Sequence, residues 1–376
     1  MGEYNKKLAP IIKWAGGKEK ELPIILKALP SSFEDYYEPF VGGGAVFTAI
    51  NAKHFFINDK SSELINLYLA IKNNDKDFLA FSNRIMATWK EVLQLSIIHS
   101  EFIEKYKNNR NDDLNTKGVA NLFLNDFNIL SVELLKVLDS SFPNHDLFLF
   151  ELKKNLFEKI ARMNKLEKKI HLLCDEDILL NIQTGFLSGV YMYFRDLFNN
   201  KSISLINRSL ATALFMFIRN YSYSGMFRYN AKGEFNVPYG GIGYNNKTLD
   251  KKIDYYQSDD LKKLLLKTEV YNLDFEDFLH ETNPGKNDFM FLDPPYDTEF
   301  STYAKNKFDK NDQERLSNYL IKKCKAKWML IIKSTPFILS LYEKNNLNIQ
   351  VFEKKYLVSF MNRNNKEAQH LLITNY

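Results

Sequence analysis

Cysteine is nearly missing from this 376-residue chain: Cys174 and Cys324 are the only two, far apart and in no CxxC pair. That usage suits a reducing compartment and excludes a disulfide framework or a thiolate zinc site. The six histidines show no HExxH or comparable spacing, so no metal is expected. No uncharged apolar run is long enough to span a bilayer, and "MGEYNKKLAP" lacks the apolar core of a signal peptide. No membrane partner and a cytoplasmic location are therefore expected. Acid is also scarce in one stretch: residues 221–247, "YSYSGMFRYNAKGEFNVPYGGIGYNNK", hold Glu234 alone.

What is present is an ordinary soluble composition, 45% hydrophobic and 26% charged, long enough for two domains or one with a large insertion. Thirty Phe and 21 Tyr can fill a core or stack on bases, and a net charge of +5 leans toward a polyanionic partner without requiring one. Strand-like runs fall at 36–40, 54–59, 269–275, 288–293, 327–334, 349–357 and 370–376. Helical stretches such as "DKNDQERLSNYLIKKC" (309–324) separate several of them, which predicts an α/β doubly wound sheet. Residues 61–185 carry helical apolar spacing instead, as in "LFEKIARMNKLEKKIHLL" (156–173), with polar breaks near 107–116. Over 96–185, 12 Lys and Arg stand against 14 Asp and Glu, so most of that stretch is not a phosphate-binding surface. The Gly-, Asn- and aromatic-rich 221–247 reads as loop or hairpin carrying side chains that can read bases.

Three short stretches carry chemistry. In "DFMFLDPPYDTEF" an apolar run ends in Asp293-Pro294-Pro295-Tyr296. Proline cannot donate to a sheet ladder, so Asp293 and Tyr296 are held at a strand end, the edge where open α/β sheets bind ligands. In "YYEPFVGGGAVFTAI" a strand runs into Phe40-Val41-Gly42-Gly43-Gly44 and then a helix start, which lets the backbone approach a ligand closely. Asp59 ends the next strand-like run. Alone it reads most simply as a helix N-cap; beside the glycine loop it suits a ribose diol. In "IIKWAGGKEKEL", Lys13 and Lys18 flank a Gly16-Gly17 turn, and Lys18 can hold a carboxylate or lie solvated.

Together with "IND" (57–59), "GMFRYNAKGEFNVPYGG" (225–241) and the tail "NRNNKEAQHLLITNY" (362–376), these stretches resemble the DNA adenine methyltransferase family of the Dam type, in the family's order. The helical stretch 96–185 is longer than compact members need. The resemblance implies a Rossmann-like S-adenosylmethionine-dependent methyltransferase sheet with an inserted helical and target-recognition region. The divisions expected are a catalytic domain of 1–60 and 256–376, a helical insertion of 61–185 and a target-recognition segment of 186–255. It further implies that Trp14 and Lys18 line the cofactor site, that the Phe40, Gly42 and Gly44 loop wraps the methionine portion, that Asp59 takes the ribose hydroxyls, and that Asp274 and Phe275 lie near the cofactor adenine.

The chemistry explains the acid, the prolines and the tyrosine. An exocyclic amine is a poor nucleophile because its lone pair is delocalised. Asp293 accepting one N–H and the Pro294 carbonyl accepting the other draw it toward a tetrahedral shape, and both bonds strengthen as charge develops. Pro295 stiffens the turn, and Tyr296 offers a face to a base that has left its stack. Arg228 and Asn230 are expected to read bases, Tyr229 to stack or wedge, and Lys232 and Lys247 to touch phosphate. The expected partner is double-stranded DNA, bound by a monomer, with a cognate restriction endonuclease acting separately. Methylation of cytosine N4 or of RNA adenine, and a non-catalytic DNA-binding relative, are the alternatives; the full set of stretches disfavours them.

Overall fold

Seven strands pair into one sheet: β1 (Tyr36–Glu38), β2 (Phe55–Asn58), β3 (Thr268–Tyr271), β4 (Phe289–Leu292), β5 (Lys327–Lys333), β6 (Asn348–Lys355) and β7 (Glu367–Thr374). The structure is a computed structural model. It describes residues 8–14, 16–98, 101–112, 114–200, 206–295, 308–355 and 367–376, without the side chains of 353–355 and 367–368. The strand order is β3-β2-β1-β4-β5-β7-β6, with β7 antiparallel to both neighbours and the other pairs parallel. This is the α/β sheet the sequence predicts.

Each strand has a local cause. All four residues of β4 are buried, so a strand covered on both faces reads as an unbroken apolar run. Its side chains alternate: Met290 and Leu292 join Trp328, Leu330 and Ile332 in one cluster with helical Phe278, Leu316 and Ile338. On the other face the Tyr36 ring lies 5.8 Å from Phe55 and 6.0 Å from Phe289. The helix Lys310–Lys322 starts with a capping box in which Asp309 and Asp312 each take the other's backbone N–H.

Three of the shifts from the expected boundaries have a visible cause. β1 stops at Glu38, because Pro39 has no N–H for a ladder. β3 stops at Tyr271, because the Leu273 N–H goes to the Asn58 side chain and Asp274 caps the helix Phe275–Thr282. The helix expected to run to 173 ends at Glu167: the Glu167 carboxylate accepts the Leu173 N–H at 2.7 Å, which turns the chain back.

The chain divides into two compact units, Met1–Asn73 with Tyr256–Tyr376, and Asn74–Tyr255. The helix Ser62–Lys72 thus belongs with the sheet, and residues 186–255 join the helices before them in one unit. The second unit is helical, with long helices Lys76–Ile98, Thr116–Val137, His145–Glu167, Asp175–Asn199 and Arg208–Tyr221. Gly185 and Gly189 let the fourth of these lie against the third, since a Cβ at Gly189 would fall 2.5 Å from Leu152 Cα. Trp89, 4.5 Å from Tyr221 and 5.6 Å from both Phe217 and Tyr239, centres an aromatic core that accounts for much of the Phe and Tyr content.

Candidate active site and a hairpin of residues 228–236

The sheet's strand order reverses between β1 and β4, and the chain leaving their C-terminal ends bounds the crevice where open α/β sheets take ligands. One buried amide fixes three of the strand ends there. Asn58 Nδ2 donates to the carbonyls of Pro39 (3.0 Å) and Leu273 (3.1 Å), while its Oδ1 accepts the Leu273 N–H at 2.8 Å. The Val41 N–H donates to the Asn58 carbonyl at 2.9 Å.

The glycine loop sits between two aromatic side chains. Gly42 (φ 49°) and Gly44 (φ 78°) occupy the left-handed region that favours glycine. A Cβ on Gly42 would come within 2.9 Å of the half-buried Trp14 ring, and one on Gly44 within 2.5 Å of the Tyr68 hydroxyl. That hydroxyl donates to the Gly42 carbonyl at 3.0 Å.

Asp59 fastens the same loop, and Ser61 caps the helix that follows. Asp59 accepts the Gly42 N–H at 3.1 Å on one oxygen and the Ser61 N–H at 2.9 Å on the other. Burial pushes its carboxyl up to about 6, against the lowering effect of the two N–H groups. Each oxygen retains a second acceptor position, so the group can hold the loop and still receive a ligand hydroxyl.

Lys18 is buried rather than solvated. Its ammonium donates to the Gly16 carbonyl at 2.8 Å and forms an ion pair with Asp293 at the C-terminal end of β4. Pro294 is buried and Pro295 exposed, and the Pro295 carbonyl accepts from Gln313 Nε2 at 2.9 Å. Tyr296 lies outside the described residues. Glu38, 2% exposed at the end of β1, accepts the Tyr36 hydroxyl at 2.7 Å. Burial holds its carboxyl well above the ordinary range, against that hydrogen bond and with the charge of Asp293 adding to the rise.

Asp274 and Phe275 both have partners within the fold. Asp274 caps its helix through the Glu276 N–H, pairs with Arg315 at 2.6 Å and faces Lys60 at 3.6 Å. Burial raises its carboxyl, but that N–H and the Arg315 guanidinium outweigh it, and the net shift is downward. Phe275 is buried, 4.8 Å beneath the Arg315 guanidinium and 5.6 Å from the half-buried Phe40, so its ring belongs to the core. Among the described residues no group of three or more His, Cys, Asp or Glu is placed to hold a metal ion.

In the second unit, residues 228–236 form a small hairpin. Tyr229 and Phe235 are bridged antiparallel between the bonds Asn230 N–H to Glu234 O (2.8 Å) and Asn236 N–H to Arg228 O (3.1 Å). Arg228 and Lys232 are exposed, and Arg228 donates from Nε to Asn236 Oδ1 at 3.1 Å. Asn230 turns its amide on its own loop: Oδ1 accepts the N–H groups of Lys232 and Glu234 at 2.9 and 3.0 Å, and Nδ2 donates to the Glu234 carboxylate at 2.8 Å. The Tyr229 ring packs on Phe227 (5.1 Å) and Phe235 (6.1 Å). Arg228 and Lys232 thus lie exposed on the hairpin, whereas the Asn230 amide and the Tyr229 ring are engaged within it. The Lys247 ammonium donates to the Asn220 carbonyl and lies 5.1 Å from the Tyr244 ring centre.

Sequence reasoning missed Glu38, Asn58 and Gln313 as parts of this arrangement. The first two lie inside stretches singled out for other residues; Gln313 lies in a helix with no local signal.

The chain is similar to known proteins over most of its length. Over 377 residues the chain is 24% identical to a type II methyltransferase of Lactococcus lactis subsp. cremoris, covering 98% of this chain and 96% of the relative. It is 26% identical over 385 residues to a type II methyltransferase of Methanocaldococcus jannaschii, covering 98% and 99%. It is 23% identical over 317 residues to the DNA adenine methylase of Haemophilus influenzae, covering 82% and 73%. The family model for D12 class N6 adenine-specific DNA methyltransferases matches residues 14–165 and 122–359. With a strand-end Asp-Pro-Pro turn beside a glycine loop in a sheet of this order, the chain belongs to the D12 class of N6 adenine-specific DNA methyltransferases.

Proposed function

We propose that this DNA adenine methyltransferase takes its methyl group from S-adenosylmethionine and acts on adenine extruded from a specific site in duplex DNA, as a site-specific DNA-methyltransferase (adenine-specific), EC 2.1.1.72. The observation that carries the reading is the placement of Asp293: it ends β4 at the reversal of strand order, next to the turn that leaves β1. There the Asp293 carboxylate and the Pro294 carbonyl are the acceptors for the two N–H bonds of an adenine amine. Lys18 keeps Asp293 in position, and Gln313 steadies the turn through the next carbonyl.

The donor set suits the cofactor. Asp59 retains acceptor capacity for ribose hydroxyls, and the loop of Gly42 and Gly44, with Trp14 beside it, offers backbone without side-chain obstruction. When bound, S-adenosylmethionine supplies an electrophilic methyl group. Asp293 and Pro294 orient the lone pair of the amine, Asp59 orients the ribose, and the buried strand ends exclude water from around them. The Asp274 carboxylate is engaged by Arg315 and Lys60, so contact with the cofactor adenine falls to the backbone of that turn.

No helix among the described residues is long and apolar enough to cross a membrane. A cytoplasmic monomer completes the reading, and relatives named as type II methyltransferases support a separate restriction endonuclease acting alongside it. Tritium transfer from labelled S-adenosylmethionine to duplex DNA, followed by digestion to nucleosides, tests it. Label in N6-methyl-2'-deoxyadenosine is expected; label in N4-methyl-2'-deoxycytidine, or none in DNA, overturns it.

A further inference from the structure

The hairpin's outer edge is held by one helix. Because Tyr229 and Phe235 form a pair whose own ladder bonds lie on either side of them, the Phe235 N–H and C=O point away from the Tyr229 arm. Both are taken by the side-chain amide of Asn199: the Phe235 N–H donates to Oδ1 at 2.8 Å, and Nδ2 donates to the Phe235 carbonyl at 3.0 Å. This is the two-point pairing a neighbouring strand would make, and it fixes which way the amide faces. One and two turns back on the helix Asp175–Asn199, Arg195 Nη1 and the buried Tyr191 hydroxyl donate to the next outward-facing carbonyl, Val237, at 3.3 and 2.9 Å. Tyr191, Arg195 and Asn199 are four residues apart, so they lie along one helix face.

The geometry points to Asn199, with Tyr191, as a positioning residue for target choice: the helix replaces the missing strand and sets the register of the hairpin that presents Arg228 and Lys232. An unpaired hairpin edge would be free to slip or twist, and a two-bond contact between a guanidinium and a base edge tolerates little of either. This inference rests on the reading of Arg228 as a base-contacting residue.

The test uses the full chain. Single-molecule sequencing of DNA methylated by the wild type first defines the site; rates are then measured on duplexes carrying that site and each single-base change. Asn199→Leu should fold, lower the ratio of cognate to altered-site rates by roughly tenfold, and add nothing further in an Arg228→Ala background. Hydrogen exchange at the amide of Phe235 in the free protein should accelerate by about tenfold. If Asn199→Leu does not fold, Tyr191→Phe, which removes one hydroxyl and keeps the ring, should lower the ratio in the same direction. Unchanged exchange, or an equal loss of rate on every duplex while Arg228→Ala alters the ratio, overturns the inference. If Arg228→Ala also leaves the ratio unchanged, the base-reading role of the hairpin fails, and this inference with it, whatever exchange shows.

Discussion

Lys18 and Asp293 are 275 residues apart in sequence and form an ion pair in which the ammonium is 3% exposed and the carboxylate 19%. Burial of the lysine makes the pair a fixed part of the site, unlike an exposed pair, which would contribute little. Lys18→Met should lower kcat by about a hundredfold while S-adenosylmethionine affinity stays within a few-fold. Rapid-quench turnover and calorimetric binding check this. A collapse of cofactor affinity at normal kcat would return Lys18 to direct contact with the cofactor.

Asp293→Ala removes an acceptor that strengthens as charge develops on the amine. Turnover should fall roughly 10²–10³-fold, with cofactor binding retained, and Asp293→Asn should be less damaging because its carbonyl still accepts one bond. Near-normal turnover in the alanine variant would sink the mechanism.

Asp59 titrates at about 6 in the folded protein, above its ordinary 3.8, because it is buried. A carboxyl raised on folding contributes stability that is complete below the unfolded value and lost as pH rises through the folded one. Between about pH 4 and 6 the wild type should therefore lose stability relative to Asp59→Asn. Binding has the opposite sign, since ribose hydroxyls favour the ionised group. S-adenosylmethionine affinity should rise from about pH 5 to 7 in the wild type and stay flat in Asp59→Asn. Parallel calorimetric titrations across that range decide it.

Gly189 has Leu152 Cα 2.5 Å and the Glu151 carbonyl 2.8 Å from where a Cβ would stand. Both are backbone atoms and cannot swing aside. Gly189→Val should destabilise the helical unit by about 1–3 kcal/mol or more, seen as a lower thermal midpoint. An unchanged midpoint would mean the two helices separate at little cost.

Lys232 is exposed at the hairpin turn and suits a phosphate rather than a base. Lys232→Ala should weaken binding to all duplexes alike and flatten the plot of log affinity against log salt by about one unit of slope. A loss confined to one base change would make Lys232 a base reader.

Much of this was legible because the signals are local. β1 to β4 are short runs rich in apolar residues, followed by Pro39, Asp59, Asn272 and Asp293, and each of the seven strands fell within a few residues of where the sequence put it. Asp293, Asp59 and the glycine loop were legible because strand ends and turn residues sit next to each other in the chain. Side-chain direction was not. Nothing near Lys18 announces a carboxylate 275 residues on, and nothing near Asn199 announces the backbone of Phe235. Asn230 shows the converse failure: "NAKGE" has a turn's composition, and composition cannot tell an amide aimed outward from one spent on its own turn.

The sheet cannot assemble in the order in which it is made. Phe55 in β2 pairs with Thr268 in β3 only after the whole of Asn74–Tyr255 has emerged between them, and β7, the last strand, must enter between β5 and β6. Local helical contacts form quickly and distant parallel pairings slowly. The helical unit, with its hairpin already clamped, should thus complete folding on the ribosome while β1 and β2 still wait for their partners. Their apolar edges stay open to misassociation throughout that interval. The slow step in making this enzyme is then closure of the catalytic sheet, and synthesis at lower temperature should raise the soluble yield without any change in sequence.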